Sequence, residues 1–166
     1  PLSIIQIVFL SGKSGMGAAL KKCLRELIVE LIEQQNVTVF ISGMAIGVDM
    51  YAAEIVLELK AEYPIITLEC AIPCETQAAE WSEPLRDRYY RIAELCDKET
   101  MLQTHYTPDC MKKRNRYMVD QCDILLAVWD ENPSGTGSTV RYARTQEKSI
   151  WIVSPNTLEV QHFGCD

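Results

Sequence analysis

The chain predicts an α/β fold, with a mostly parallel sheet of about six strands and helices on both faces. Three observations carry this. Short, uniformly apolar runs rich in Ile, Val and Leu recur along the chain, as strands buried on both faces require. Longer segments with apolar residues at helical spacing separate them. Small-residue turns containing Gly, Ser and Pro follow several of the runs, where strand hands over to helix.

The first strand is Ile4 to Leu10, apolar except for Gln6. Gly17 to Gln35 is helical, with Leu20, Leu24, Leu27, Ile28, Leu31 and Ile32 on one stripe. Val37 to Ile41 is the second strand, and Val48 to Glu62 a helix stopped by Pro64. Ile65 to Ile72 is the third strand. Ser82-Glu83-Pro84 opens a helix running to about Cys96, with Ser as N-cap and Pro in the first turn. Glu99 to Thr104 is a weaker strand, and Asp109 to Gln121 a helix. Ile124 to Trp129 is the fifth strand, Ser138 to Gln146 a helix, and Ser149 to Val153 the sixth strand. The tail from Pro155 carries no clear pattern. These units predict a single Rossmann-like three-layer domain over residues 1–166, with its core at about 4–153. Crossover helices bring every strand-to-helix loop to one sheet edge, where ligands bind.

A length of 166 residues suits one substantial core. The net charge of −7 argues against broad nucleic-acid binding. No apolar run reaches the roughly 20 residues that span a bilayer, and no signal-peptide pattern opens the chain. Seven cysteines (Cys23, Cys70, Cys74, Cys96, Cys110, Cys122 and Cys165) contain no CxxC pair. An odd number without paired spacing disfavours disulfides and a zinc site, and fits a reducing cytoplasm. His105 and His162 stand alone and receive no role.

Three loops carry unusual residues. Ser11-Gly12-Lys13-Ser14-Gly15-Met16-Gly17 follows the first strand, and Ser42-Gly43-Met44-Ala45-Ile46-Gly47-Val48-Asp49 the second. Asn132-Pro133-Ser134-Gly135-Thr136-Gly137-Ser138 follows the fifth. Glycine alone serves tight turns. Three such loops on one edge point instead to a crevice where backbone N–H groups and helix N-termini receive a phosphorylated ligand. Gly12-Lys13-Ser14 resembles the end of a Walker A loop, but Ile7 stands where its first glycine belongs. The spacing of Gly12, Gly15 and Gly17 does not make a dinucleotide fingerprint either. No cofactor is therefore expected. Lys13 is placed to pair with a phosphate. Asp49 stands at a helix N-terminus, either to complement the dipole or to accept ribose hydroxyls. Trp81 could stack on a base or pack in the core. Lys112-Lys113-Arg114-Asn115-Arg116 is the one dense basic run.

These residues resemble the SLOG superfamily, which joins the DNA-processing protein A (Smf) family and the Lonely Guy phosphoribohydrolases. Within it the chain is similar to the YspA/YpsA-like branch, from Ile7 to about Val153. Ser42 to Asp49 resembles the S-G-x-A-x-G-[IV]-D signature of the DNA-processing branch, and Arg114-Asn115-Arg116 its R-N-R. Met111 to Met118 also fits the Lonely Guy M-x-x-R-K-x-x-M frame, with Arg114 on the active-site arginine. Pro133 to Arg141 aligns with P-G-G-x-G-T-x-x-E, so Arg141 replaces the glutamate that the resemblance links to cleavage of the base–ribose bond. A cation cannot do that carboxylate's work; Glu54, Glu80 and Asp130 are the candidate substitutes. An arginine there suits a second phosphate, which its planar fork binds bidentately.

The expected function is binding, or sensing, of an AMP-like or ADP-ribose-like ligand. The expected site is Ser11, Gly12, Lys13, Gly43, Met44, Gly47, Asp49, Trp81, Arg114, Asn115, Gly135, Thr136, Gly137, Ser138 and Arg141, without a metal. The alternatives are hydrolysis of a nucleotide N-glycosidic bond and single-stranded DNA binding. The resemblance also implies pairing into a homo-oligomer.

Overall fold

A computed structural model describes residues 3–8 and 17–164. In chain order it contains β1 (Ser3–Val8), α1 (Ala18–Gln35), β2 (Val37–Ser42), α2 (Val48–Leu59), β3 (Thr67–Ile72) and α3 (Glu83–Leu95). Then come β4 (Lys98–Met101), α4 (Cys110–Gln121), β5 (Ile124–Val128), α5 (Gly135–Thr145), β6 (Ser149–Val153) and β7 (Val160–Phe163).

Among the described residues the strands form one seven-stranded sheet in the order β4-β3-β2-β1-β5-β6-β7. Every pairing is parallel except β6 with β7, where Ile150 opposes Phe163 and Val153 opposes Val160. The expectation of about six strands is therefore one short. β7 lies in the tail where no pattern was legible, because an edge strand that is half-buried at best has little apolar alternation to show.

Strand residues alternate between two cores. Phe40, Leu68, Cys70, Ile72, Leu126 and Val128 point to one face, where Leu24, Ile28 and Leu31 of α1, Val56 of α2 and Ile92 of α3 bury themselves. Ile41, Ala71, Leu125, Ala127 and Ile152 point to the other, against Met118 and Val119 of α4 and Val140 and Ala143 of α5. Each large aliphatic so buried contributes about 1.5–3 kcal/mol relative to exposure. The two faces follow from handedness. Right-handed crossovers march β1, β2, β3 and β4 outward with α1 to α3 on one side; reversing direction at β5 puts the later helices on the other. The reversal lies between β1 and β5.

Helix limits follow local chemistry. Asn36, in left-handed backbone (φ 55°), closes α1 by donating its N–H to the Leu31 carbonyl. Ser82 is the N-cap residue of α3, with Pro in the first turn, but its side chain makes no capping bond. α5 begins at Gly135 rather than Ser138. Ser134 caps it by accepting the Gly137 N–H at 3.1 Å, so Gly135, Thr136 and Gly137 form a helical first turn and not a loop. Glycine's low helix propensity hid this, and a good N-cap overrode it. β4 also begins and ends earlier than the expected Glu99 to Thr104.

Candidate ligand site

The turn from β2 to α2 is shaped by its own polar atoms. Ser42 is buried; its hydroxyl donates to the Asp49 carbonyl (3.0 Å) and accepts the Met44 N–H (3.2 Å). Asp49 Oδ2 accepts the Ala45 N–H at 2.9 Å. The turn needs left-handed backbone at Met44 (φ 59°) and a positive φ of 101° at Gly47. For a residue with a Cβ this costs roughly 1–2 kcal/mol; the hydrogen bonds and complete burial of the Met44 side chain offset it.

Arg114 reaches this turn from α4. It is 4% exposed. Its Nη1 donates to the Gly43 carbonyl, its Nε to Asn115 Oδ1 (2.7 Å), and its Nη2 to the Met111 thioether (3.7 Å). Gly43 is where Arg114 and Asp49 meet. A Cβ there would stand 2.8 Å from Arg114 Cζ, Arg114 Nη1 and Asp49 Oδ2 alike. No ion pair within 4.0 Å joins Arg114 to a carboxylate among the described residues.

The electrostatics follow from burial. Desolvation pushes the Asp49 carboxyl up to about 7, against the opposing pull of Arg114 and the Ala45 N–H. Asp49 Oδ1 is buried with no hydrogen-bond partner among the described residues. Burial likewise lowers the Arg114 guanidinium, although Asp49 favours its charged form.

A second chain of bonds ties this centre to α5. Asn115 Nδ2 donates to Thr139 Oγ1 (3.1 Å), which donates to the Gly135 carbonyl (2.9 Å). A third runs to the segment after β3. Gln77 Nε2 donates to the Gly43 carbonyl (3.1 Å), and the Tyr89 hydroxyl lies 3.3 Å from Gln77 Oε1. Trp81 meets the Tyr89 ring edge-on at 5.4 Å and is partly buried against the core.

Of the sequence-derived residues, Gly43, Met44, Asp49, Arg114, Asn115 and Gly135 are thus drawn into one network, with Trp81 at its margin. Ser11, Gly12 and Lys13 lie outside the described residues. Thr136 and Gly137 sit in the first turn of α5, Gly137 directly beneath the Trp129 ring. Ser138 and Arg141 are exposed on α5, where Arg141 Nη2 donates to Ser138 Oγ at 3.1 Å. Gln77, Met111 and Thr139 complete the network and were not among the residues expected. Met111 and Thr139 stand within the stretches Met111 to Met118 and Pro133 to Arg141 that the sequence singles out, without themselves being expected at the site. The candidate carboxylates are engaged elsewhere or exposed: Glu54 takes Arg88 bidentately (2.9 and 3.1 Å), Asp130 takes Asn132, and Glu80 faces solvent.

A separate cleft of about 200 Å³ opens on the other side of β1, lined by Trp129, Asp130, Glu131, Ser154 and Glu159 among others. Its carboxylates make it a poor seat for an anion. Among the described residues, no group of three or more His, Cys, Asp or Glu side chains could hold a metal ion, and no helix is long and apolar enough to cross a membrane.

The model of the YspA SLOG family matches residues 7–158. The chain belongs to the YspA SLOG family. It is 33% identical over 147 residues to a UPF0398 protein of Halalkalibacterium halodurans, covering 84% of this chain and 77% of that one. It is 34% identical over 133 residues to a UPF0398 protein of Bacillus thuringiensis, covering 79% and 72%. The fold is similar to that of DNA processing protein A from Streptococcus pneumoniae (TM-score 0.68, 16% identity), covering 92% of this chain and half (50%) of that one. It is also similar to DNA processing protein A from Helicobacter pylori, whose single-stranded DNA binding has been described structurally (TM-score 0.64, 20% identity, 93% and 66% coverage). This YspA SLOG chain therefore shares its α/β architecture with the DNA-processing proteins.

Proposed function

We propose that this YspA SLOG chain binds an AMP-like or ADP-ribose-like ligand at the carboxyl edge of its sheet. The observation that carries the reading is the state of Arg114. It is a buried guanidinium held by neutral acceptors: a carbonyl, an amide oxygen and a thioether. Burying a cation without a full counter-charge is costly, and a phosphate oxygen is a far better partner for Nη2 than the Met111 sulfur. Met111 is 40% exposed, so an incoming anion can displace it. The N-terminus of α5, tied to Arg114 through Asn115 and Thr139, adds dipole and backbone N–H groups to the same seat. Gly47, with open space where a side chain would stand, allows close backbone approach; Gly43 makes the room that Arg114 and Asp49 fill; Ser11, Gly12 and Lys13 are assigned to the site from the sequence, Lys13 to pair with a phosphate; and Asp49, once ionised, is a ribose acceptor. Arg141 on α5 takes a second phosphate. No cofactor or metal is part of the reading; a cytoplasmic setting and a homo-oligomer are.

Native mass spectrometry of the purified protein, followed by a thermal-shift panel of nucleoside mono- and diphosphates and ADP-ribose, tests it. A ligand that binds only the folded state raises its melting temperature. Arg114→Ala leaving every such shift unchanged overturns it.

A second reading is single-stranded DNA binding. Exposed Lys112, Lys113 and Arg116 on α4, beside Arg114, favour it. Lys113 is partly spent on Asp109 (3.4 Å), Arg116 lies over the Tyr142 ring, and the net charge of −7 opposes it. Salt-sensitive binding to an oligonucleotide decides between the two. The hydrolase alternative lacks a carboxylate within the Arg114 network other than Asp49; release of free base from nucleoside monophosphates would revive it.

A further inference from the structure

Asp49 is 3% exposed. Among the described residues, two buried side-chain oxygens have no hydrogen-bond partner: Thr38 Oγ1 within β2, and Asp49 Oδ1 at the carboxyl edge of the sheet. A buried polar atom left without a partner costs free energy, so each one calls for an explanation. The donors around Asp49 are committed elsewhere. The Ser42 hydroxyl serves the Asp49 carbonyl, and the Ala45 N–H serves Asp49 Oδ2 (2.9 Å). Gln77 Nε2 and Arg114 Nη1 both serve the Gly43 carbonyl. The donor that completes Oδ1 therefore comes from a bound molecule.

We propose that Asp49 Oδ1 accepts a ribose hydroxyl of the bound nucleotide, so that the site selects ribonucleotides over deoxyribonucleotides and gives up the Asp49 proton to solvent as it does so. This rests on the ligand reading above and adds the class of sugar that the site takes. The acceptor is held in place by the Ala45 N–H on its other oxygen. The carboxyl also adjoins the Arg114 guanidinium: a Cβ at Gly43 would stand 2.8 Å from both Asp49 Oδ2 and Arg114 Cζ. One molecule can thus place a phosphate on Arg114 and its sugar on Asp49. Gly47, two positions before Asp49, leaves open space where a side chain would stand, and this is the approach for the sugar.

The proton follows from burial. Desolvation pushes the empty carboxyl up to about 7, against Arg114 and the Ala45 N–H. Among the described residues, Arg114 of α4 is the charged side chain that acts on it. The Tyr89 phenol on α3 and the Cys74 and Cys110 thiols act on Arg114 instead, and burial keeps Tyr89 neutral. Glu54, on α2 itself, is taken by Arg88. A hydroxyl that donates to Oδ1 favours the ionised form, so binding a ribonucleotide lowers the pKa and a proton leaves. As pH rises through the upper value, less work goes into expelling that proton, and affinity for the ribonucleotide climbs. A deoxy analogue leaves the buried acceptor unpaired and gains nothing from the rise.

The test is isothermal titration of the intact protein at pH 5.5, 7.0 and 8.5. The probes are AMP and ADP-ribose, each beside 2′-deoxy and 3′-deoxy analogues. Parent and analogue carry the same phosphates, so phosphate titration cancels in the ratio of their affinities. The expected preference for the parent over at least one analogue is about tenfold at pH 8.5, the worth of a hydrogen bond to a charged group, and it shrinks toward parity at pH 5.5. In Asp49→Asn the preference should be small and independent of pH. Equal affinities at pH 8.5 overturn the proposal, as does a preference that stays constant with pH or survives unchanged in Asp49→Asn. The wild-type series decides by itself if that variant does not fold. Binding that needs Arg114 but ignores the sugar sinks this proposal alone; no binding of any probe sinks the ligand reading and this proposal with it.

Discussion

The Arg114 guanidinium is locked against Gly43. Its Nη1 donates to the Gly43 carbonyl, and the missing side chain at that residue leaves the space that Arg114 Cζ and Asp49 Oδ2 occupy. One glycine thus lets a buried cation and a buried carboxyl share a wall without forming an ion pair. Most of what can be tested about the site follows from that arrangement.

Gly43→Ala puts a methyl 2.8 Å from three atoms that are themselves enclosed. Neither Arg114 nor Asp49 can swing into solvent to relieve it. Overpacking of this kind costs roughly 1–3 kcal/mol. Urea denaturation should show that loss, and any nucleotide-induced thermal shift should shrink with it.

Arg114→Ala removes donors to Gly43, Asn115 and Met111 together. Gln77 still serves the Gly43 carbonyl, so a stability loss of roughly 1–3 kcal/mol is expected rather than unfolding. Ligand affinity should fall by about tenfold or more, the value of one charge-assisted hydrogen bond. Arg114→Lys keeps the charge and loses the fork, and isothermal titration should place it between the two.

Asp49 makes stability depend on pH in an unusual direction for a carboxylate. Its folded pKa, about 7, lies above the ordinary aspartate value of 3.8 because burial disfavours the ionised form. The folded state therefore holds more protons than the unfolded state between those values, and stability falls as pH rises through the window. Its contribution is complete below the lower value and is lost as pH passes the upper one. The slope is at most about 1.4 kcal/mol per pH unit. Chemical denaturation from pH 4 to 8 should show this descent in the native chain. In Asp49→Asn, which retains an acceptor for the Ala45 N–H, that component should vanish.

Ser134→Ala deletes the cap of α5 by removing the acceptor for the Gly137 N–H. A cost of about 1 kcal/mol is expected in the denaturation midpoint. Amide exchange should quicken at Gly137 while α4 stays protected. Equal exchange in both proteins would mean that the first turn of α5 does not depend on this cap.

The strands and helices were legible because each buries a continuous apolar run or stripe, and local pattern reports burial directly. Arg114 and Ser42 to Asp49 were legible too, because glycines, an acid and a dense basic run are rare neighbours of apolar strands. The contributions of Gln77, Met111 and Thr139 were not. Each acts through a partner 34, 3 or 24 positions away, by hydrogen bonds that single-residue patterns do not encode.

By itself the sequence determined the alternation of strand and helix, and with it a sheet edge where strand-to-helix loops gather, since crossover handedness leaves no other arrangement. The tertiary structure decided the rest. It made the Gly135–Gly137 stretch a capped helical turn, because Ser134 outweighed glycine's reluctance. It added β7 in a tail without a pattern, because an edge strand needs only a neighbour's backbone. And it turned Asp49 and Arg114 from two charged residues into one buried, incompletely neutralised pair, because burial, which no local pattern sets at a loop, governs what a charge costs.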